Sequence, residues 1–188
     1  MEKDNKNEEV ETEGQIDQKP DEQEKSMFMN IKLLFLKEEK GWEVGYSNLA
    51  ENNIMFEFVH NGETVQNWTE TATVSFYSYQ STVFPSANAY AKEVMKNVED
   101  TVKSGDGDIN VNFMQESEEE TILEFMVTDT KGYDNQHELQ RVFLGENGIW
   151  YLHYVTKDNV PMDDNQRDKW LEYLKNVEVE SGVGGLEI

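Results

Sequence analysis

The 188-residue sequence predicts an α+β domain built on a central antiparallel sheet of about six or seven strands, with an amphipathic helix on each face in an α/β/α sandwich. Three observations carry this. Short runs alternating apolar and polar residues with period two recur from Trp42 to Thr156, separated by Gly, Asn and Asp turns. Two segments switch to a period of three to four, after Pro85-Ser86 and after Pro161. The last pair of strand patterns is apolar on both faces, which calls for cover on each side.

Residues 1–26 carry ten acidic side chains against four lysines and almost nothing apolar, so they cannot bury enough surface to offset chain entropy. They read as a disordered acidic tether, followed by a domain over 27–178 and a flexible tail over 179–188 with Gly182, Gly184 and Gly185. Ile31–Leu36 and Trp42–Tyr46 pattern as a hairpin around Lys37-Glu38-Glu39-Lys40-Gly41, and Asn48 to Asn53 as a polar link. Ile54–Val59 and Ala72–Tyr77 are strands joined by the stretch Gly62–Thr71. Ala87, Tyr90, Ala91, Val94, Val98 and Val102 form the stripe of the first helix, with Ser86 as its N-cap and Gly105 as its stop. Strands follow at Ile109–Phe113, Ile122–Thr128, Leu139–Leu144 and Ile149–Thr156. Asn147-Gly148 between the last two is a type I′ signal that pairs Val142 with His153 and Phe143 with Leu152. It also sorts Ile149, Tyr151, His153 and Val155 onto one face, Trp150, Leu152 and Tyr154 onto the other. The second helix starts after Asp163, with Gln166 in a capping-box relation and Trp170, Leu171, Leu174 and Val177 as its stripe.

A formal charge of −23 opposes binding to nucleic acid or anionic membrane surfaces and favours cationic partners or divalent cations. With no cysteine there is no disulfide, thiol nucleophile or Cys-ligated metal. No apolar run is long enough to insert in a membrane. Compartment stays open between a cytoplasmic protein and an exported, lipid-anchored domain whose signal was trimmed.

None of the three histidines, His60, His137 and His153, forms a short-range ligand motif. Asp106-Gly107-Asp108-Ile109-Asn110 resembles a calcium loop but has Val111 at the glycine position and Ser117 at the bidentate-Glu position, so it reads as a helix-to-strand turn. Glu116, Glu118, Glu119 and Glu120 read as a solvated hairpin tip. There is no Gly-rich phosphate cradle and no Gly-x-Ser-x-Gly elbow. No cofactor or metal is expected. Asn67-Trp68-Thr69 has the form of a glycosylation acceptor, but the residues are better explained by Asn67 and Thr69 bonding local backbone while Trp68 plugs the core, with Glu63 and Glu70 on its solvent rim.

The link Gly62-Glu63-Thr64-x-x-Asn67-Trp68-Thr69-Glu70, set in this order of elements, resembles a segment of the PsbP-like superfamily. That group includes the photosystem II extrinsic subunit P, a Ran-binding nuclear import factor and small bacterial proteins. The resemblance spans roughly residues 28–178 and implies a sheet between helices and an accessory or protein-binding role without a shared catalytic motif. The expected reading is therefore a non-enzymatic domain that binds a protein partner, through exposed aromatics such as Trp42, Tyr77, Tyr79 and Phe84. The alternative is a small ligand-binding protein or hydrolase using His153 and His60 with neighbouring carboxylates. A third reading is an acidic metal-responsive module.

Overall fold

The computed structural model describes residues 41–50, 53–79, 84–132, 134–157 and 162–177. Among the described residues, seven strands form one antiparallel sheet in the order β1-β2-β3-β7-β6-β5-β4: β1 Trp42–Ala50, β2 Asn53–His60, β3 Glu70–Ser78, β4 Asp108–Glu116, β5 Glu120–Thr128, β6 Gln136–Leu144 and β7 Gly148–Lys157. Two meanders, β1-β2-β3 and β4 to β7, are sewn together by the β3–β7 ladder, which runs from Glu70 opposite Thr156 to Ser78 opposite Gly148. The helix α1, Ala87–Ser104, crosses from β3 to the far edge and packs on β4, β5 and β6, while α2, Asp164–Asn176, lies against β6 and β7.

Period-two alternation decides which core each strand residue joins. Ile54, Phe56 and Phe58 of β2, Ala72 and Val74 of β3 and Trp150, Leu152 and Tyr154 of β7 meet Trp170 and Leu174 of α2. On the opposite face Leu123, Phe125, Val127, Val142 and Ile149 meet Ala87, Tyr90, Ala91, Met95 and Val102 of α1. The expected sandwich of a sheet between two helices is what forms.

Both helix starts are capped as the sequence predicts. Ser86 Oγ accepts the Ala89 N–H at 3.1 Å, and Asp163 Oδ1 accepts the Gln166 N–H at 2.8 Å. At the end of α1 the left-handed residue is Asp106, at φ 58°, while Gly105 keeps φ −92°. Gly105 and Gly107 are required for space, because a Cβ on either would strike the Thr130 side chain.

Two readings differ from the sequence, and a third is not reached by the described residues. β1 continues through Asn48 to Ala50, and Ala50 pairs with Asn53 of β2, so the described part of the expected polar link is strand. β1 pairs with β2, and the proposed partner run Ile31–Leu36 lies outside the described residues, as do 1–26 and 179–188. The β6–β7 hairpin pairs Val142 with Tyr151 and Phe143 with Trp150, two residues away from the expected register. Its turn closes through the Gly145 N–H on the Gly148 carbonyl at 2.8 Å, with Glu146 and Asn147 in the middle, and neither Asn147 nor Gly148 takes positive φ. A slip of two leaves parity unchanged, so the face assignment survives.

Candidate functional site

At the end of the sheet where β1 begins, β2 ends, β3 begins and β7 ends, the start of α2 leaves an open cleft of about 380 Å³. Its sheet side is lined by Trp42, His60 and Glu70, its helix side by Asp163, Gln166, Lys169 and Trp170. Register explains the convergence: Trp42 is the cross-strand partner of His60, and Glu70, two residues before Ala72, shares the α2 face. The His60 ring lies on Trp42 at 4.3 Å between centroids, and Trp42 meets Trp170 edge-on at 5.8 Å. Behind them Tyr154 stacks on Trp170 at 3.9 Å.

Glu70 is the polar centre. Its Oε2 accepts the Tyr154 hydroxyl at 2.6 Å and lies 3.5 Å from His60 Nε2; its Oε1 accepts from Gln166 Nε2 at 3.1 Å. Gln166 Nε2 also donates to the Tyr154 oxygen at 2.6 Å. Burial, followed by the hydrogen bond to Glu70, pushes the Tyr154 phenol well above its ordinary range, so it stays a proton donor to the carboxylate. Gln166, singled out in the sequence for capping, thus turns its amide nitrogen onto the sheet.

A protein-family model matches residues 38–186. The chain belongs to that family. Its matched region covers every described element and extends into the residues read from sequence as a C-terminal tail. No curated protein matches the chain. Four chains of solved structures match, among them a mutant of the protein Mog1, with 8% identity, 72% of this chain and 76% of that chain covered, and a TM-score of 0.40.

The sequence-selected aromatics divide. Trp42 is buried at 4% exposure, which corrects its reading as a surface anchor: at the start of β1 it faces Trp170 and the His60 ring takes its outer side. Tyr77 and Phe84 are half-buried against Tyr90, at 5.6 and 5.1 Å. Tyr79 is exposed at 42%, its hydroxyl donating to the Gly145 carbonyl.

The Gly62–Thr71 link is fixed, but not by its indole. Gly62 takes φ 88° and donates its N–H to Glu43 Oε1 at 2.8 Å. Thr64 and Asn67 exchange backbone bonds, and the Thr69 hydroxyl donates to Glu63 Oε1 at 2.7 Å. Burial works against the Glu63 carboxylate, yet the Thr69 hydrogen bonds prevail and hold it below its usual range. Trp68 is half-buried and belongs to neither core cluster; the Lys157 ammonium lies 5.2 Å from its ring centroid. Glu70, expected on the solvent rim, instead turns under α2.

His60 and His153 do not share a site. His60 faces α2 with Phe58, while His153 faces the other side of the sheet with Tyr151, whose ring it stacks on at 4.9 Å. There His153 Nδ1 lies 2.7 Å from Glu138 Oε1, which also accepts from Gln140 Nε2 at 2.6 Å. The Thr73 and Ser75 hydroxyls on that face are buried without a hydrogen-bond partner among the described residues. Glu57, beside them, is raised above its ordinary pKa by burial, against the pull of His153.

His137 is a structural clamp. Its Nδ1 accepts the Met162 N–H at 2.9 Å, so the proton sits on Nε2 and is donated to Glu124 Oε1 at 2.8 Å. Arg167 grips the same carboxylate through Nε at 2.6 Å and Nη2 at 2.8 Å and holds it below its usual range. Neither Glu124 nor Arg167 stood out in the sequence, because only the fold brings β5 and α2 together. Asp106 to Asn110 forms the expected helix-to-strand turn, and among the described residues no group of three or more His, Asp and Glu is placed to hold a metal. The acidic hairpin tip is partly paired, with Glu116 on Lys92 at 2.8 Å and Glu120 on Arg141 at 2.6 Å.

Proposed function

We propose that the chain is a non-enzymatic protein-binding domain of PsbP-like type, which receives a side chain of its partner in the cleft between the β1–β2–β3 end of the sheet and α2. The observation that carries this is the convergence of Trp42, His60, Glu70 and Trp170 on an open cleft of about 380 Å³. Two features weigh against turnover there. His60 lies 3.5 Å from a Glu70 oxygen already taken by Tyr154, and its ring is packed on Trp42. The histidine with the closer carboxylate, His153, is on the opposite face. In this reading residues 27–178 are the binding domain, 1–26 an acidic tether and 179–188 a tail, and the tether's composition suits the soluble part of a bacterial cell-envelope lipoprotein.

Affinity purification from the native cells tests it. Asn165→Trp, at an exposed position on the cleft rim, fills the cleft without touching the core, whereas Tyr79→Ala alters a surface remote from it. A protein retained by Tyr79→Ala and lost with Asn165→Trp is the expected result. Partners held equally by both variants, or by neither, would remove the reading.

A further inference from the structure

On the face of the sheet opposite the cleft, one patch is buried away from α1. That helix packs on β4, β5 and β6, and its apolar cluster takes in Tyr77 and Tyr151 but neither Val59 nor Val155. Cross-strand pairing sets Glu57, Thr73 and His153 in one row of this face and Val59, Thr71 and Val155 in the next. Val59 and Val155 are nonetheless buried, and Thr73 and Ser75 are 0 and 1% exposed. The link over residues 62–71 brings Val65 near Val59, beside Gly45, at one end of the patch.

The chemistry of the patch calls for an apolar cover. The Thr73 and Ser75 hydroxyls have no hydrogen-bond partner among the described residues, whereas a buried hydroxyl that faces water or polar side chains finds one. Burial likewise raises Glu57, in the same row, above its ordinary range. We propose that the cover is this chain's own apolar run, residues 27–36, docked over β2, β3 and β7 as a dry layer.

Composition selects that run. Only Asn30 and Lys32 interrupt the apolar residues between 27 and 36, whereas 1–26 is acidic, and 51–52, 80–83, 133 and 158–161 are too short to cover three strands. Residues 178–188 follow α2 on the other face, where Arg141 holds the Leu174 and Val177 carbonyls. Reach allows it as well. Gly41 is tied to the start of β1, its carbonyl accepting the Asn61 N–H at 2.7 Å. The five residue steps from Leu36 to Gly41 give up to about 17 Å of chain. β3 lies two strand spacings from β1, about 10 Å, and a packed layer sits about 10 Å above a sheet. Docking there leaves the cleft on the α2 face open.

Methyl NOE spectroscopy of the full chain, with leucine and valine methyls labelled, tests the assignment without any substitution. Cross-peaks are expected from Val59 or Val155 to Leu33, Leu34 or Leu36. Their absence would overturn the proposal, and hydrogen-exchange protection of the outer β1 amides in their place would assign the run to that sheet edge instead. Two variants read the same contact by melting. Serine at Leu33, Leu34 and Phe35 together should lower the melting temperature by roughly 5–10 °C. Thr73→Val should raise it by a few degrees, because it removes an unpaired hydroxyl from a dry contact. A serine variant that melts with the wild type would overturn the docking. A Thr73→Val protein that melts below the wild type would show a hydrated hydroxyl and overturn the dry cover.

Discussion

Trp170, at 3% exposure, has Tyr154 stacked on one side and the edges of Trp42 and Tyr173 on others, whereas Trp68 is only half-buried and has a lysine over its ring. The two indoles should therefore respond differently to truncation. Trp170→Ala removes a filled core position and is expected to cost roughly 3–5 kcal/mol. Trp68→Ala loses partial burial and one cation contact and is expected to cost about 1–2 kcal/mol. Urea melts of the two variants check this, and a Trp68→Ala loss equal to that of Trp170→Ala would restore Trp68 as a core plug. Residue identity alone could not separate them: both are indoles beside apolar strands, and only register shows that Glu70 and not Trp68 continues the α2 face of β3. Of the cleft, Trp42, His60 and Glu70 drew notice in the sequence for unrelated reasons. Tyr154 was placed only on a strand face and Lys169 was not singled out, because their roles exist only once β7 and α2 are neighbours.

Among the elements, strand number, helix placement and face assignment were legible because period-two and helical patterns are local. Pairing register was not, since a two-residue slip of β6 against β7 leaves every side chain on its own face. Asn147-Gly148 pointed to a type I′ turn, but what requires glycine at 148 is space: a Cβ there would run into the Tyr77 carbonyl and the Phe76 ring of β3. Gly148→Ala should accordingly cost about 1–3 kcal/mol through overpacking in the β3–β7 ladder. Asn147→Ala, at a position without positive φ, should change stability by less than about 0.5 kcal/mol. Thermal melts that reversed this order would indicate a type I′ turn on Asn147-Gly148 instead.

Across the whole molecule, α2 is tied to the sheet by charge as well as by its apolar stripe. Arg167 binds Glu124 of β5, His137 of β6 holds the Met162 N–H before the helix, and Arg141 Nη1 donates to the carbonyls of Leu174 and Val177 at its end, each at 2.7 Å. Two half-buried carboxylates then give opposite responses to acid. Arg167, ahead of the opposing effect of burial and aided by His137, lowers the folded-state pKa of Glu124; the stability this supplies is fully present above the unfolded-state value and is lost as pH falls through the folded-state one. Burial raises Glu57, so its contribution favours the fold at low pH and is lost as pH rises through its folded-state pKa. Glu124→Gln is expected to lower stability at neutral pH by about 1.5–3 kcal/mol, the scale of a charge-assisted hydrogen bond, with the difference from wild type shrinking in acid. Glu57→Gln is expected to raise stability at neutral pH by on the order of 1 kcal/mol, and that gain should also shrink as acid protonates the wild-type carboxyl. Chemical melts of the three proteins from pH 7 down to pH 3 read both slopes at once. A Glu57→Gln protein less stable than wild type at neutral pH would mean that the attraction between Glu57 and His153 outweighs desolvation, and the buried face beneath Thr73 and Ser75 would then be held by an ion pair.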